Sequence, residues 1–523
     1  MIHPSRILLL CGFALTATLA FAQTPQQASV AKDFPTFRAF TLHLDSLAAT
    51  GDSAKINMLW RRLTAENRVP FSIGDSVAML YRSVPPHPAT VRFAGDFNQW
   101  QPSWTAQRLG ASNATVSLWR YTTTFPSTAR LDYKIVVGND WILDPANPNQ
   151  QWGGFGPNSA LQMPDWKFPS ETLKRPNVSG TAAGGTLAEM RRIASRALGY
   201  DVQYQVYLPA GYTATRTAFP VIYVADGQEY RDDRLGAMPI VMDNLIADNR
   251  ITPTIAVFLD PRNPNNLSQN RRIDEYAANA RYADFLANEL VPQIDSLYNT
   301  RRSASARAIM GTSVGGINAG FVAMTKAETF GLAALHSPAL WLRPAIEAMY
   351  RDSARKPLRL WMSTGTIFDT EVQARRLREI WQQKGYTHEY IEVAEGHSWG
   401  NWRSLMDDAL RFLFGTTNTG TQSRNTAPAG APAGAPALRA TIAPNPIATE
   451  AIVRLTLQKP QEITLRFTNA GGHIVFERVM ALASGEHEVR IDVSGFPAGV
   501  YAYILTSDCE QCGTQSSMVV IRR

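Results

Sequence analysis

The chain has 523 residues, 45% of them hydrophobic and 18% charged, with 12 Trp, 17 Tyr and 22 Phe. That apolar and aromatic content supplies several buried cores and excludes a disordered chain, a collagen-like repeat and, with only 3 Cys, a disulfide scaffold. The net charge of +7 comes from scattered Lys and Arg rather than basic runs, so a nucleic-acid-binding surface is not expected.

Residues 1–22 read as a cleaved export signal, because Arg6 precedes an apolar run from Ile7 to Phe21 and Ala20-Phe21-Ala22 has the small-x-small pattern of a peptidase site. The run is shorter than the roughly 20 residues that span a bilayer, and Cys11 follows Leu10, where a lipobox carries a small residue. A membrane anchor and a lipoprotein therefore fit less well, and no transmembrane segment is expected elsewhere. In residues 23–84 the apolar positions Leu42, Leu47, Ile56, Leu59, Trp60 and Leu63 recur at three and four. That spacing predicts a helical lead-in reaching about Leu80.

From 85 to 170 the pattern changes to short alternating runs, Thr90 to Ala94, Leu118 to Phe125 and Leu131 to Val137, which predict a small β-sandwich. The stretch Val91 to Trp100 (VRFAGDFNQW), with Tyr133 to Val137 and Trp141 to Pro145, resembles the early-set immunoglobulin-like domains of carbohydrate-binding module family 48. Trp rings stack on sugars, so Trp100, Trp104 and Trp141 are candidates for holding a glycan, with core or interdomain packing as the competing role.

Residues 171–415 alternate strand-like and helix-like runs. The strands are Val202 to Leu208, Val221 to Ala225, Thr254 to Leu259, Ala306 to Met310, Gly331 to His336, Leu358 to Ser363 and Glu389 to Val393, with helices at Tyr282 to Tyr298 and Thr370 to Lys384. Such alternation predicts a mostly parallel sheet with helices on both faces. Residues 416–440 fall to Thr, Asn, Gly, Ala and Pro and read as an extended linker.

Residues 441–523 return to short alternating strands and predict a second sandwich. Pro444-Asn445-Pro446, Gly471 to Val475 and Gly495 to Tyr501 resemble the C-terminal sorting domain of the type IX secretion system. The resemblance implies the secretion machinery as a partner and a secreted or surface-attached product; an ordinary fibronectin-like module is the alternative. Cys509 and Cys512 are spaced for a local disulfide.

The strongest chemical signal is Ile309 to Gly316 (IMGTSVGG), a strand running into Gly-x-Ser-x-Gly and a helix start. A nucleophile elbow needs this spacing, because its strained turn tolerates only small neighbours and lifts the Ser hydroxyl beside a helix N-terminus. A Ser hydroxyl needs a base to take its proton and a carboxylate to orient that base. His397, in Glu395 to Trp402 (EGHSWGNW), follows the last strand, and Asp369 follows the strand ending at Ser363. Ser313, Asp369 and His397 thus stand in α/β-hydrolase order; Glu371 is the rival acid. The oxyanion requires two backbone N–H donors, for which Val314 and, in the Asp226 to Tyr230 turn (DGQEY), Gln228 are the candidates. Asp226 itself reads as structural. His336 follows a strand but precedes the acid, which suits a pocket or packing residue.

Val206 to Tyr212 (VYLPAGY), Asp226-Gly227-Gln228, Arg272 to Tyr276 (RIDEY), Glu289 to Pro292 (ELVP), the elbow, and Gly396 to Trp399 (GHSW) together resemble the Putative esterase family. That family holds enterochelin esterases, S-formylglutathione hydrolase, feruloyl esterases and the acetylxylan esterases of carbohydrate esterase family 1. The likeness implies no metal and no organic cofactor. It also places Arg272 and Glu275 on a loop bordering the pocket, where the Arg either holds an anionic substrate group or forms a structural ion pair. Trp341, Trp399 and Trp402 are either an aromatic wall for the substrate or core. Asp-Gly-Gln points to the enterochelin branch and Asp369 to the feruloyl pattern, so the branch stays open.

The expected molecule is an α/β hydrolase flanked by two all-β immunoglobulin-like sandwiches. The expected function is an exported serine carboxylesterase with feruloyl or acetyl polysaccharide esters, or siderophore-type lactones, as substrates. The alternative is a surface glycan-binding protein with an inert hydrolase domain.

Overall fold

The computed structural model describes residues 33–111, 113–175, 184–213, 218–416, 439–443, 447–457, 459–469, 474–497, 499–507 and 514–521. The export signal, most of the linker and the Cys509–Cys512 pair lie outside the described residues. Among those described, no helix is long and apolar enough to cross a membrane.

Two helices open the structure, Phe37–Thr50 and Ser53–Ala65. Thr36 caps the first by accepting from the Ala39 N–H, and Asp52 caps the second by accepting from Ala54 and Lys55. Between them Gly51 takes a left-handed conformation, φ 65°, which ends the first helix. Phe40, Leu44, Leu47, Ile56, Leu59 and Leu63 pack together on Phe71, Ala78 and Leu80.

The helical lead-in stops at Ala65, short of the expected Leu80, because Ser76–Ser83 is a strand paired with Ser117–Thr124 along its whole length. The reason is burial on both faces. Ala78 and Leu80 face the helices, while Val77 and Met79 face the sandwich interior. A strand covered on both sides shows a continuous apolar run without alternation, which periodicity does not separate from a helix.

The all-β sandwich has one sheet in the order Phe71–Ile73, Ser76–Ser83, Ser117–Thr124, Gln107–Leu109. The facing sheet runs Trp104–Thr105, Val91–Gly95, Arg130–Val137, Gly156–Gln162, Gln150–Gly153. Phe93, Trp119, Leu131, Tyr133 and Ile135 fill the space between them. Of the three Trp proposed for glycan, Trp104 is drawn into this packing: it stacks on Phe97 at 4.2 Å and on Tyr121 at 4.8 Å. Trp100 donates its indole N–H to Asp96 at 3.2 Å. Trp141 is 45% exposed.

The central sheet contains β1 (Tyr200–Leu208), β2 (Val221–Val224), β3 (Ile255–Asp260), β4 (Arg307–Thr312), β5 (Leu332–His336), β6 (Arg359–Gly365) and β7 (Thr387–Val393). Their order is β1-β3-β2-β4-β5-β6-β7, with two short strands, Thr186–Leu187 and Arg191–Ser195, paired to β1. β1 is antiparallel to β3 and every later pairing is parallel. All six residues of β4 are buried, Ile309 under one helical layer and Ala308 and Met310 under the other. Parallel strands covered on both faces read this way. The helix expected over Tyr282 to Tyr298 is three segments, Ala280–Phe285, a π turn Leu286–Leu290 and Val291–Leu297.

The C-terminal unit is a second sandwich. A three-stranded sheet, Arg439–Ala443, Glu450–Leu457 and Gly485–Asp492, faces a four-stranded one, Ile474–Leu482, Gln461–Asn469, Gly499–Ser507 and Thr514–Ile521. Val453, Leu455, Ile463, Leu465, Phe467 and Tyr503 form its core.

Candidate active site

Ser313 sits between β4 and the helix Val314–Thr325 with φ 58° and ψ −116°, a backbone conformation that a non-glycine residue adopts only under constraint. The constraint is local. The Ser313 N–H donates to the His336 carbonyl at 2.9 Å, and a Cβ at Gly311 would overlap the Gly315 backbone. At Gly315 a Cβ would lie 3.1 Å from Asp226 Oδ2. The two glycines of the motif are the room the turn needs.

His397 Nε2 lies 2.9 Å from Ser313 Oγ, and its Nδ1 lies 2.6 Å from Asp369 Oδ1. The Asp369 carboxylate is buried, and its other oxygen accepts from Ser337 Oγ at 2.6 Å, the Gly365 N–H at 2.6 Å and Asn401 Nδ2 at 3.2 Å. With those donors fixing one oxygen, the other is aimed at the imidazole. Glu371 enters the following helix and does not meet His397; burial pushes its carboxyl up, with the Asp369 charge adding to the shift.

The sequence reading missed Ser337 and Asn401. Ser337 stands just past the carboxyl end of β5, where α/β sheets place functional groups, and that position was its only signal.

Trp402 and Trp399 are buried rather than open walls. Trp402 sets its ring edge-on to His397, with centroids 5.0 Å apart, and donates its indole N–H to Ser337 Oγ at 2.9 Å. Trp399 donates to Glu229 Oε2 at 2.7 Å and packs edge-on to Tyr230. It thereby ties the helix Trp399–Ser404, which follows His397, to the Gln228 turn. Trp341, on a short turn Leu340–Leu342, is partly buried against the core.

Val314 and Gln228 both lie in the first turn of a helix, Val314–Thr325 and Gly227–Tyr230. First-turn N–H groups have no intrahelical acceptor, so both positions offer donors. Asp226 precedes the second helix with φ 54° and is buried. Arg272 grips Asp226 through Nε and Nη2, both at 2.8 Å, and donates from Nη2 to the Thr312 carbonyl at 3.2 Å. Arg272 thus forms an ion pair, which fastens the Gln228 turn to the residue before Ser313.

Glu275 is 1% exposed and accepts from the Tyr200 hydroxyl at 3.1 Å, so it lies in the core rather than lining a pocket. Burial pushes its carboxyl up to about 8. His336 is packing, not pocket. It is fully buried, its Nδ1 is 3.1 Å from Ser363 Oγ, and burial pushes it down to about 3.

A groove of about 480 Å³ leads past Gln228 and Glu229. One wall is the esterase-side Arg231, Arg262 and Asn270; the other is the sandwich's Trp152, Gly153, Gly154 and Gly156. Phe155, at the tip of that hairpin, is fully exposed.

A family model described as Putative esterase matches residues 195–413, and one described as Secretion system C-terminal sorting domain matches residues 441–520. An endo-1,4-beta-xylanase/feruloyl esterase of Xylanibacter ruminicola is 30% identical over 218 residues, covering 40% of this chain and 29% of that protein. An iron(III) salmochelin esterase of Escherichia coli is 24% identical over 254 residues, covering 45% and 59%. Among solved structures, the ferric enterobactin esterase from Salmonella typhimurium aligns with a TM-score of 0.53 at 17% identity, over 65% of this chain and 94% of that one. This likeness shows the fold.

Proposed function

Because residues 195–413 belong to the Putative esterase family and residues 441–520 are a secretion sorting domain, which marks the chain for export, we propose that the protein is an exported serine carboxylesterase. The observation that carries the mechanism is the continuous hydrogen-bond chain from Ser313 through His397 to Asp369. Ser313 Oγ attacks the ester carbonyl while His397 Nε2 takes its proton. Asp369 keeps the imidazole in the tautomer with Nδ1 protonated and stabilises the cation that forms. The Val314 and Gln228 N–H groups hold the oxyanion. The imidazolium then protonates the leaving alcohol. Water, activated by the same base, releases the acid from the acyl-enzyme.

The substrates are esters of aromatic or acetyl groups on polysaccharide, or siderophore-type lactones, in keeping with the feruloyl and salmochelin esterases among the relatives. We take the N-terminal sandwich as an immunoglobulin-like early-set domain that braces the esterase. Trp141, the exposed one of its three candidates, is its point of glycan contact.

The test is hydrolysis of p-nitrophenyl acetate and butyrate by the wild type and Ser313→Ala, followed by feruloyl, acetyl-xylan and catecholate-lactone substrates. Loss of about 10⁶-fold in kcat in the variant is expected. A folded wild type inert on every ester, or a variant as active as the wild type, rejects the reading.

A further inference from the structure

The seam between the sandwich and the loop that carries His397 has no role in the reaction as described, yet hydrogen bonds and an ion pair cross it. Arg130, at the start of the strand Arg130–Val137, is 2% exposed. Its backbone N–H donates to the Ala394 carbonyl at 3.3 Å. Its Nη1 donates to Ser398 Oγ at 3.4 Å and stands 3.7 Å from Glu395 Oε2, while Nη2 pairs with Asp132. Glu395 Oε1 accepts from the indole N–H of Trp166, at the sandwich's end, at 3.2 Å. The Asp96 side chain fills the space a Cβ at Gly396 would need, and the Arg130 guanidinium fills that at Gly400. Residues 394, 395, 396 and 398 therefore each touch the sandwich. His397, between them, points the other way with its side chain 35% exposed, and its ring nitrogens meet only Asp369 and Ser313.

Resting on the serine-esterase reading, we propose that Arg130 is a positioning residue for His397: the sandwich clamps both flanks of the histidine, and the esterase site is complete only with this domain docked. The physical argument is that a short exposed loop explores several backbone states unless its neighbours are tied. A displacement of about 1 Å at a base costs about 10²-fold in rate. The esterase domain holds the Glu395 and Gly396 carbonyls through the Ile367 N–H at 3.2 Å and Asn401 Nδ2 at 3.0 Å; the clamp adds ties at the Ala394 carbonyl and at the Glu395 and Ser398 side chains from a surface the reaction never touches.

The test uses the full chain as wild type, Arg130→Lys and Arg130→Met, with Ser313→Ala as the control for enzyme-dependent turnover. Three things are read: kcat and KM on p-nitrophenyl acetate, the thermal melt, and the low-field proton resonance of the His397 Nδ1–H. Arg130→Met is expected to lower kcat about 10²-fold with KM within about 3-fold, and to broaden or erase the resonance. Arg130→Lys keeps the charge beside Asp132 but does not reach Ser398 and Glu395 together, so it recovers part of both and is expected about 10-fold below wild type.

Arg130→Met leaves buried carboxyls without their cation and fails to fold in one outcome. Arg130→Lys then decides alone. Wild-type kcat and an unchanged resonance in a folded variant overturn the proposal, even with a lowered melting temperature. Absence of Ser313-dependent turnover in the wild type rejects the esterase reading instead, and the resonance in Arg130→Lys still decides the positioning.

Discussion

At the scale of single residues, the site depends on which atom of each side chain is already occupied. Asp369 Oδ2 is held by Ser337, Gly365 and Asn401, leaving Oδ1 for the imidazole. Asp369→Asn preserves the shape but sets an amide N–H against Nδ1–H, favouring the wrong tautomer. A fall in kcat of about 10⁴-fold with little change in KM is expected, read by steady-state kinetics on p-nitrophenyl butyrate. The three residues joined by the hydrogen-bond chain stand out in the sequence because each sits where local chain chemistry marks it: a glycine-flanked elbow, and two loops just past strand ends. Arg130 was not legible. It meets Ser398 across 268 residues of chain, and an Arg at a strand start carries no local sign of what lies opposite it. The same holds for the pair of Arg272 with Asp226, which lie 46 residues apart in the chain.

At the scale of elements, two predictions follow from close packing. Gly311, next to last in β4, lies against the backbone of Gly315, so Gly311→Ala forces the first turn of the nucleophile helix outward. A loss of about 1–3 kcal/mol, read as a lowered denaturation midpoint, is expected together with loss of activity. Glu275, within the helix Arg272–Tyr276, holds its proton up to about pH 8 in the folded chain against an ordinary value of 4.5. The folded state thus binds more protons across that window. The stability this group contributes is present below about pH 4.5 and is lost as pH rises through about 8. Melting temperatures of wild type should fall over this range relative to Glu275→Gln, which carries no proton to lose; parallel curves would contradict the assignment. The seven long strands of the central sheet were legible because each is a short apolar run set between turn residues or helix patterns, whereas the two short strands paired to β1, Thr186–Leu187 and Arg191–Ser195, carry no such run and were not. The strand Ser76–Ser83 was not legible either: its two faces are buried in different cores, as in β4, but its run follows helix-spaced residues and reads as their continuation.

At the scale of the whole molecule, the C-terminal sandwich encloses its own core, from Ile447 to Ile521, without a residue of the esterase domain in it. A chain ending at residue 416 should therefore keep kcat/KM within about 2-fold of the full-length value, since a unit with its own core folds independently. The N-terminal sandwich is different. Ile367 and Ala394, from the loops that present Asp369 and His397, pack into its core. This unequal coupling was not legible in the sequence, because it is written in contacts between residues far apart in the chain.

The bond between Arg130 and the Ala394 carbonyl also bears on how the protein behaves in concentrated solution. β7 is the outer strand of the central sheet, and an outer strand offers unpaired backbone groups to any neighbouring chain. Along β7 itself Glu389 and Glu392 discourage such pairing, and just beyond its end Arg130 occupies the next free carbonyl. A sandwich that loosens uncovers that carbonyl. The expected first sign of its failure is concentration-dependent clumping of otherwise folded molecules, visible by light scattering before the melt of the esterase core begins.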